Sequence, residues 1–195
     1  MLQAVSSYLA NQLYIHCRLD ASKKEVYQYG IQLSLSTLAS ACSVIILSLL
    51  LGEAITSFAF LGIFFFLRLF AGGYHARTYM RCFLLTNAVY LTVFFASEIV
   101  RNTQLYSLLP VIAITSCLII SVLAPVRNKN HPLSAGAYNR NRKIALCIVL
   151  IETSILIVLW FWKSIRPFLI VPTMSLAAVA VMMIITLFRK EENEL

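Results

Sequence analysis

Six stretches of this chain are apolar for long enough to cross a bilayer, and short polar segments separate them. They cover residues 31–51, 54–70, 82–100, 105–126, 144–162 and 168–188. A membrane-crossing helix needs about 17–25 mostly apolar residues, and each stretch is close to that length. The first two are joined only by Gly52 and Glu53, a very tight connection. Pro110 lies inside the fourth stretch and is expected to kink it. A four-span arrangement with re-entrant pieces is the competing reading of the first hairpin and the kinked fourth stretch.

Composition supports lipid as the solvent. The 195 residues are 60% hydrophobic and 12% charged, with a mean hydropathy of +0.82. Soluble domains carry roughly 25% charged residues. The expected fold is therefore all-α: a single polytopic membrane helix bundle of about six transmembrane helices. Residues 1–29 add an N-terminal amphipathic segment, because Leu2, Val5, Leu9 and Leu13 recur at helical spacing among polar neighbours. That helix would lie flat on the inner leaflet or cap the bundle. Those first residues lack a basic start followed by an apolar run, so no cleavable signal peptide is expected.

Charge adds an orientation. With six spans, thirteen of the 16 Lys and Arg residues fall on the side of the termini and the second–third and fourth–fifth loops. Only Arg101, Lys163 and Arg166 fall on the other. The positive-inside rule then places both termini, the segment 68–82 and the basic loop 127–143 in the cytoplasm. The net charge of +8 is read as this topology together with anionic membrane lipid, and no nucleic-acid partner is expected.

Cysteine usage offers neither a disulfide framework nor a zinc site. The five cysteines have no CxxC or paired spacing, and no metal or cofactor is expected. Cys42, Cys117 and Cys147 sit in greasy runs and read as packing residues. Cys82 differs, because it closes the densest polar island, "FAGGYHARTYMRC", with His75 seven residues before it. A cysteine protease needs a thiolate, a nearby imidazole and a group to receive the oxyanion. Arg77 and Arg81 flank the pair, and positive charge favours the reactive thiolate. Gly72 and Gly73 permit a turn with positive φ and a close backbone approach. Seven residues along a continuous helix rise about 10.5 Å, so direct cooperation requires the segment to fold back. A loop His and Arg at a membrane surface can equally be interfacial residues. His16 and His131 are weaker partners, and neither HExxH nor GxSxG occurs.

The stretch "RLFAGGYHARTYMRC" (68–82), together with "APVRNKNHPL" (124–133), resembles the two signature motifs of the accessory gene regulator B family. The resemblance implies a membrane-embedded cysteine endopeptidase of Gram-positive quorum sensing. Such an enzyme removes the C-terminal tail of a small precursor peptide and helps cyclise the product to a thiolactone or lactone. Matched residue by residue, the catalytic histidine falls on His75 and the nucleophile on Cys82, with Arg68, Gly72 and Gly73 at flanking positions. The implied partners are a precursor with an amphipathic leader and an acidic tail, membrane lipid, and a second copy in a homodimer. Arg77, Arg81, Arg127, Lys129, Arg140, Arg142 and Lys143 could steer the acidic tail. Asn128 and Asn130 could orient His75. Glu98 is too far along its helix to do so. Glu152, eight residues into the fifth span, is either a functional acid or a protonated one hydrogen-bonded to Ser or Thr neighbours. A small transporter or channel, with Glu152, Pro110 and Pro172 marking its pathway, is the rival reading.

Overall fold

The structure is a computed structural model, and it describes residues 7–8, 11–12, 24–72, 79–126 and 135–192. Six long helices account for most of them: α1 (Lys24–Leu50), α2 (Ala54–Ala71), α3 (Tyr79–Thr103), α4 (Leu109–Leu123), α5 (Ala135–Trp160) and α6 (Arg166–Glu192). Each forms all or most of a segment long and apolar enough to cross a membrane, the fourth span starting at Tyr106 in the 3-10 turn before α4, which favours six spans over four. In the amphipathic segment, residues 7–8 and 11–12 are helical. The rest of 1–23 lies outside the described residues.

The bundle is apolar outside as well as in its core, where Phe60, Phe64, Leu67 and Ile120 are buried. Large apolar side chains crowd its outer face: Leu50 is 78% exposed, Val122 74% and Ile55 71%. Small and hydroxylated residues line much of the interior, among them Ser36, Ser40, Ser48, Ser57, Ser97, Ser116 and Ser175. Lipid solvates apolar side chains as well as a protein core does, so helices associate through close packing and small contact residues. Several of these hydroxyls are satisfied by their own helix. Ser40, Ser97 and Ser175 each donate to the carbonyl four residues earlier, at 2.7–2.9 Å.

Helix α6 is the centre of the bundle. It packs against α2, α3, α4 and α5, and 56% of its span is buried, against a third or less for the others. Thr173, Ser175, Leu176, Val179, Ala180 and Met183 form its buried side. Pro172 stands inside it without ending it. Helix α1 is peripheral and packs on α2 and α3.

One end of the bundle is clasped by polar contacts. Gly52 adopts φ +75° and turns the chain between α1 and α2, with Glu53 N–H bonded to the Ser48 carbonyl at 2.9 Å. Arg101, near the end of α3, then bridges Glu53 and Glu98, both at 3.0 Å. At the same end the Trp160 indole donates to the Tyr106 carbonyl at 2.8 Å, and the Arg166 guanidinium stacks on the Trp160 ring at 4.4 Å. Trp, Tyr and Arg concentrated in this way mark a lipid–water interface.

Several expected features are corrected. Pro110 occupies the first turn of α4, where its missing N–H costs nothing, so it begins a helix instead of kinking one. The segment 68–82 is not all loop: Arg68 to Ala71 end α2 and Tyr79 to Cys82 begin α3. Part of the basic segment 127–143 is helical too, because α5 covers it from Ala135 and carries Arg140, Arg142 and Lys143 on its first turns. Hydropathy reports only the apolar part of such a helix, and polar turns that protrude beyond the lipid escape it. Cys117 is buried as expected, whereas Cys42 and Cys147 lie on the outer face, where a thiol is compatible with lipid.

Candidate functional site

The site begins where α2 stops. Gly72 has φ +73° and ψ −149°, a conformation open essentially to glycine alone. Its N–H caps the Arg68 carbonyl at 3.2 Å. There is a second reason for glycine here: a Cβ at this position would lie 3.1 Å from the Val126 carbonyl oxygen. Val126 in turn donates its N–H to the Ala71 carbonyl at 3.0 Å. The two sequence motifs, 56 residues apart at their first residues, are thus joined backbone to backbone.

The chain resumes as helix at Tyr79, which places Cys82 in the first turn of α3. Backbone N–H groups of a first turn have no intrahelical acceptor and create a partial positive charge. The Cys82 carbonyl accepts the Thr86 hydroxyl at 3.0 Å, and its thiol is partly accessible.

A full positive charge approaches from the neighbouring helix. The Arg68 Nη2 of α2 lies 3.9 Å from the Cys82 Sγ, and the same guanidinium sits over the Phe64 ring at 5.3 Å. Side chains on a helix tilt toward its N-terminus, so Arg68 leans back along α2 into the bundle, and Phe64, one turn earlier, supports it. The stacking holds a long flexible side chain in one place. Arg81, expected to charge the thiol, is exposed. Arg68 brings a charge to the sulfur through tertiary contact.

Below the thiol, α3 continues its polar face inward. Asn87 is buried; it donates to the Phe83 carbonyl at 2.8 Å and accepts the Ser43 hydroxyl of α1 at 2.8 Å. Tyr90 is completely buried and shares a 2.9 Å hydrogen bond with Thr56 of α2. These contacts tie α3 to both neighbours and fix the height and rotation of Cys82. Sequence reasoning missed Asn87 and Ser43. The available signal was an amide inside an apolar span, which must find a partner in lipid.

Of the sequence-derived candidates, the structure brings Arg68, Gly72 and Cys82 together around one helix junction. Gly73, His75, Arg77, Asn128, Lys129 and Asn130 fall outside the described residues. Glu98 sits at the far end of α3, paired with Arg101. Glu152 Oε2 and the adjacent Thr153 hydroxyl are both buried without a hydrogen-bond partner. Among the described residues, no group of three or more His, Cys, Asp or Glu side chains could hold a metal ion.

This architecture defines a multi-pass helical membrane protein that presents a cysteine, backed by a half-buried arginine, at one helix start. The sequence matches the profile of the family described as Accessory gene regulator B over residues 4–188, and the chain belongs to that family. Two relatives come from Clostridium perfringens. "Putative AgrB-like protein 2" of strain 13 / Type A is 28% identical over 151 residues, covering 73% of this chain and 69% of the relative. "Putative AgrB-like protein" of strain SM101 / Type A is 26% identical over 148 residues, with the same coverage of both chains. No solved structure matches at a comparable level. Family membership associates the chain with the peptide processing of quorum sensing.

Proposed function

We propose that this protein is a membrane-embedded cysteine endopeptidase that cleaves the C-terminal tail from a small quorum-sensing precursor peptide and promotes cyclisation of the remainder. The observation that carries the reading is the Arg68–Cys82 contact at the start of α3. A cysteine kept only for packing has no need of a cation drawn from another span.

In this mechanism His75 accepts the Cys82 proton and Arg68 stabilises the sulfur anion. Cys82 attacks the scissile carbonyl, the C–N bond breaks, and the tail leaves as an amine carrying the proton from His75. An acyl-enzyme thioester remains. A thiol or hydroxyl of the same peptide attacks that thioester, its proton passes to the Cys82 sulfur, and a thiolactone or lactone is released. Tethering raises the effective concentration of the ring-closing nucleophile, and exclusion of water at the membrane boundary suppresses hydrolysis. The basic side chains Arg77, Arg81, Arg127, Lys129, Arg140, Arg142 and Lys143 attract an acidic tail, and Asn128 and Asn130 orient His75. The site and both termini face the cytoplasm of a Gram-positive cell, and the enzyme works as a homodimer in its cell membrane.

The buried Oε2 of Glu152 in α5, which has no hydrogen-bond partner, favours a second reading, a small transporter or channel without covalent catalysis. Cysteine substitution separates the two. Cys82→Ala is expected to abolish tail release, whereas Cys42→Ala and Cys147→Ala leave it intact. Unchanged tail release by Cys82→Ala would favour the transporter.

A further inference from the structure

The polar clasp at the end of the bundle opposite Cys82 stands over a crevice of about 340 Å3 between α2 and α6. Ile55 and Ala59 line it from α2, Phe168 and Val171 line it from α6, and Glu53 and Arg101 bring the charge. Arg101 lies 19 residues after Cys82 on α3, about 28 Å of helix rise. The hydrocarbon core of a bilayer is about 30 Å thick. With Cys82 at one lipid boundary, Arg101 therefore stands at the headgroup level of the other. From there the crevice follows about 6 Å of each helix, from Ile55 to Ala59 and from Pro167 to Val171. Ile55 and Phe168 at its edge are 71% and 67% exposed, so it opens sideways to lipid. The Thr56 hydroxyl in its wall is already engaged by the Glu53 carbonyl and the Tyr90 hydroxyl. Small-molecule sites begin at about 300 Å3, so the space admits a headgroup.

The clasp leaves bonding capacity over. Glu53 and Glu98 both approach Arg101 through its Nη1, each with its Oε1 at 3.0 Å. The Nε of the same guanidinium is buried without a hydrogen-bond partner. A guanidinium has five N–H donors and a carboxylate two oxygens. Arg101 thus keeps donors for a further oxyanion, and Glu53 keeps an oxygen for a further cation. The three side chains together carry one more negative charge than positive. Arg166, beside Pro167, is turned toward α5, where it donates to the Trp160 carbonyl and stacks on its ring. The mouth therefore suits a head that brings a cation together with its anion. Two larger crevices, of about 530 Å3 between α3 and α6 and about 470 Å3 between α4 and α6, have no charged side chain in their walls and offer a head nothing to pair with. We propose that the crevice under the clasp binds one phospholipid whose head carries a free ammonium group. Its phosphate pairs with Arg101, its ammonium with Glu53, and the start of one acyl chain lies along Ala59 and Val171. Charge-assisted hydrogen bonds of both signs select the head. The bound lipid joins the starts of α2 and α6 to the end of α3.

The test is native mass spectrometry of the full-length protein in detergent, titrated with one dioleoyl lipid at a time: phosphatidylethanolamine, phosphatidylcholine or phosphatidylglycerol. All three share the acyl chains and the phosphate. Only the first has ammonium N–H donors; the second has a methylated cation and the third has none. The apparent Kd for the first lipid bound is expected to be about tenfold lower for the ethanolamine lipid than for the other two, the effect of one charge-assisted hydrogen bond. Glu53→Gln and Arg101→Gln each remove one half of the pairing and are expected to weaken the ethanolamine lipid to the level of the others. Ala59→Phe fills the crevice, leaves the clasp in place and is expected to do the same. Lys163→Gln, at an exposed position outside the crevice, should change nothing. The melting temperature in lipid-free detergent reports the fold of each variant. Where a variant melts early, the wild type decides: an ethanolamine lipid with a diazirine near the head of one acyl chain is expected to crosslink within 55–59 or 167–171, mapped by peptide mass. Equal affinity for the three lipids, tightest binding of the glycerol lipid, an ethanolamine preference that survives Glu53→Gln and Ala59→Phe, or crosslinks confined to other segments overturns the site.

Discussion

The guanidinium of Arg68 and the thiol of Cys82 meet at 3.9 Å although they belong to different membrane helices and lie 14 residues apart. The contact forms because α2 ends at Gly72, α3 begins at Tyr79, and Arg68 leans back into the bundle across Phe64. A charge-assisted contact of this kind contributes about 1.5–3 kcal/mol, or roughly tenfold or more in rate. Arg68→Ala should slow alkylation of Cys82 by iodoacetamide about tenfold at neutral pH and slow tail release at least as much. Arg68→Lys should recover only part of the loss, because an ammonium cannot stack on Phe64 as a planar guanidinium does. Stopped-time alkylation with mass readout measures both.

Gly72 is a backbone requirement. Its φ of +73° and the 3.1 Å approach of the Val126 carbonyl leave no room for a side chain. Gly72→Ala should cost about 1–3 kcal/mol and separate the two motif segments, seen as a lower melting temperature and reduced peptide cleavage. Gly62 in α2 has open space where a Cβ would stand. Gly62→Ala should be neutral or stabilising by about 0.5–1 kcal/mol through helix propensity, with cleavage unchanged.

The Ser43–Asn87 hydrogen bond, 2.8 Å between α1 and α3, is expected to contribute modestly. Interhelical hydrogen bonds in membranes average about 0.6 kcal/mol and reach about 1.7. A double-mutant cycle of Ser43→Ala and Asn87→Leu, read by thermal unfolding in one detergent, should return a coupling in that range. Zero coupling would mean that α1 does not help set the height of Cys82.

At the opposite end, Arg101 joins Glu53 and Glu98, each about one-third exposed. Solvent screening limits such pairs to about 1 kcal/mol or less each. Arg101→Ala should lower the melting temperature slightly and leave the rate of Cys82 alkylation unchanged, because it is far from the thiol along α3. A loss of alkylation would show that the two ends of the bundle are coupled.

The six spans were legible because lipid demands long apolar runs, and nothing else in the composition could satisfy them. Their ends were less so. The polar first turns of α5, from Ala135 to Lys143, carry no hydropathy signal, and Pro110 can begin a helix as readily as bend one. Cys82 was recognisable from its polar island. The Arg68 contact was not legible, because Arg68 lies 14 residues away in sequence and is near only in space. That distinction depends on how two helices pack, and so do the Val126–Ala71 bond and the Ser43–Asn87 pair. None of these leaves a periodicity in the chain.

The most direct test of the account is intact-mass analysis of the protein after mixing with its precursor peptide and rapid acid quenching. The wild type should gain the mass of the precursor minus its tail, as an adduct that hydroxylamine removes and that maps to Cys82. Cys82→Ala should neither gain the mass nor release the tail. Tail release at the normal rate by Cys82→Ala, or an adduct mapped to any other residue, would contradict the claim that this sulfur is the nucleophile.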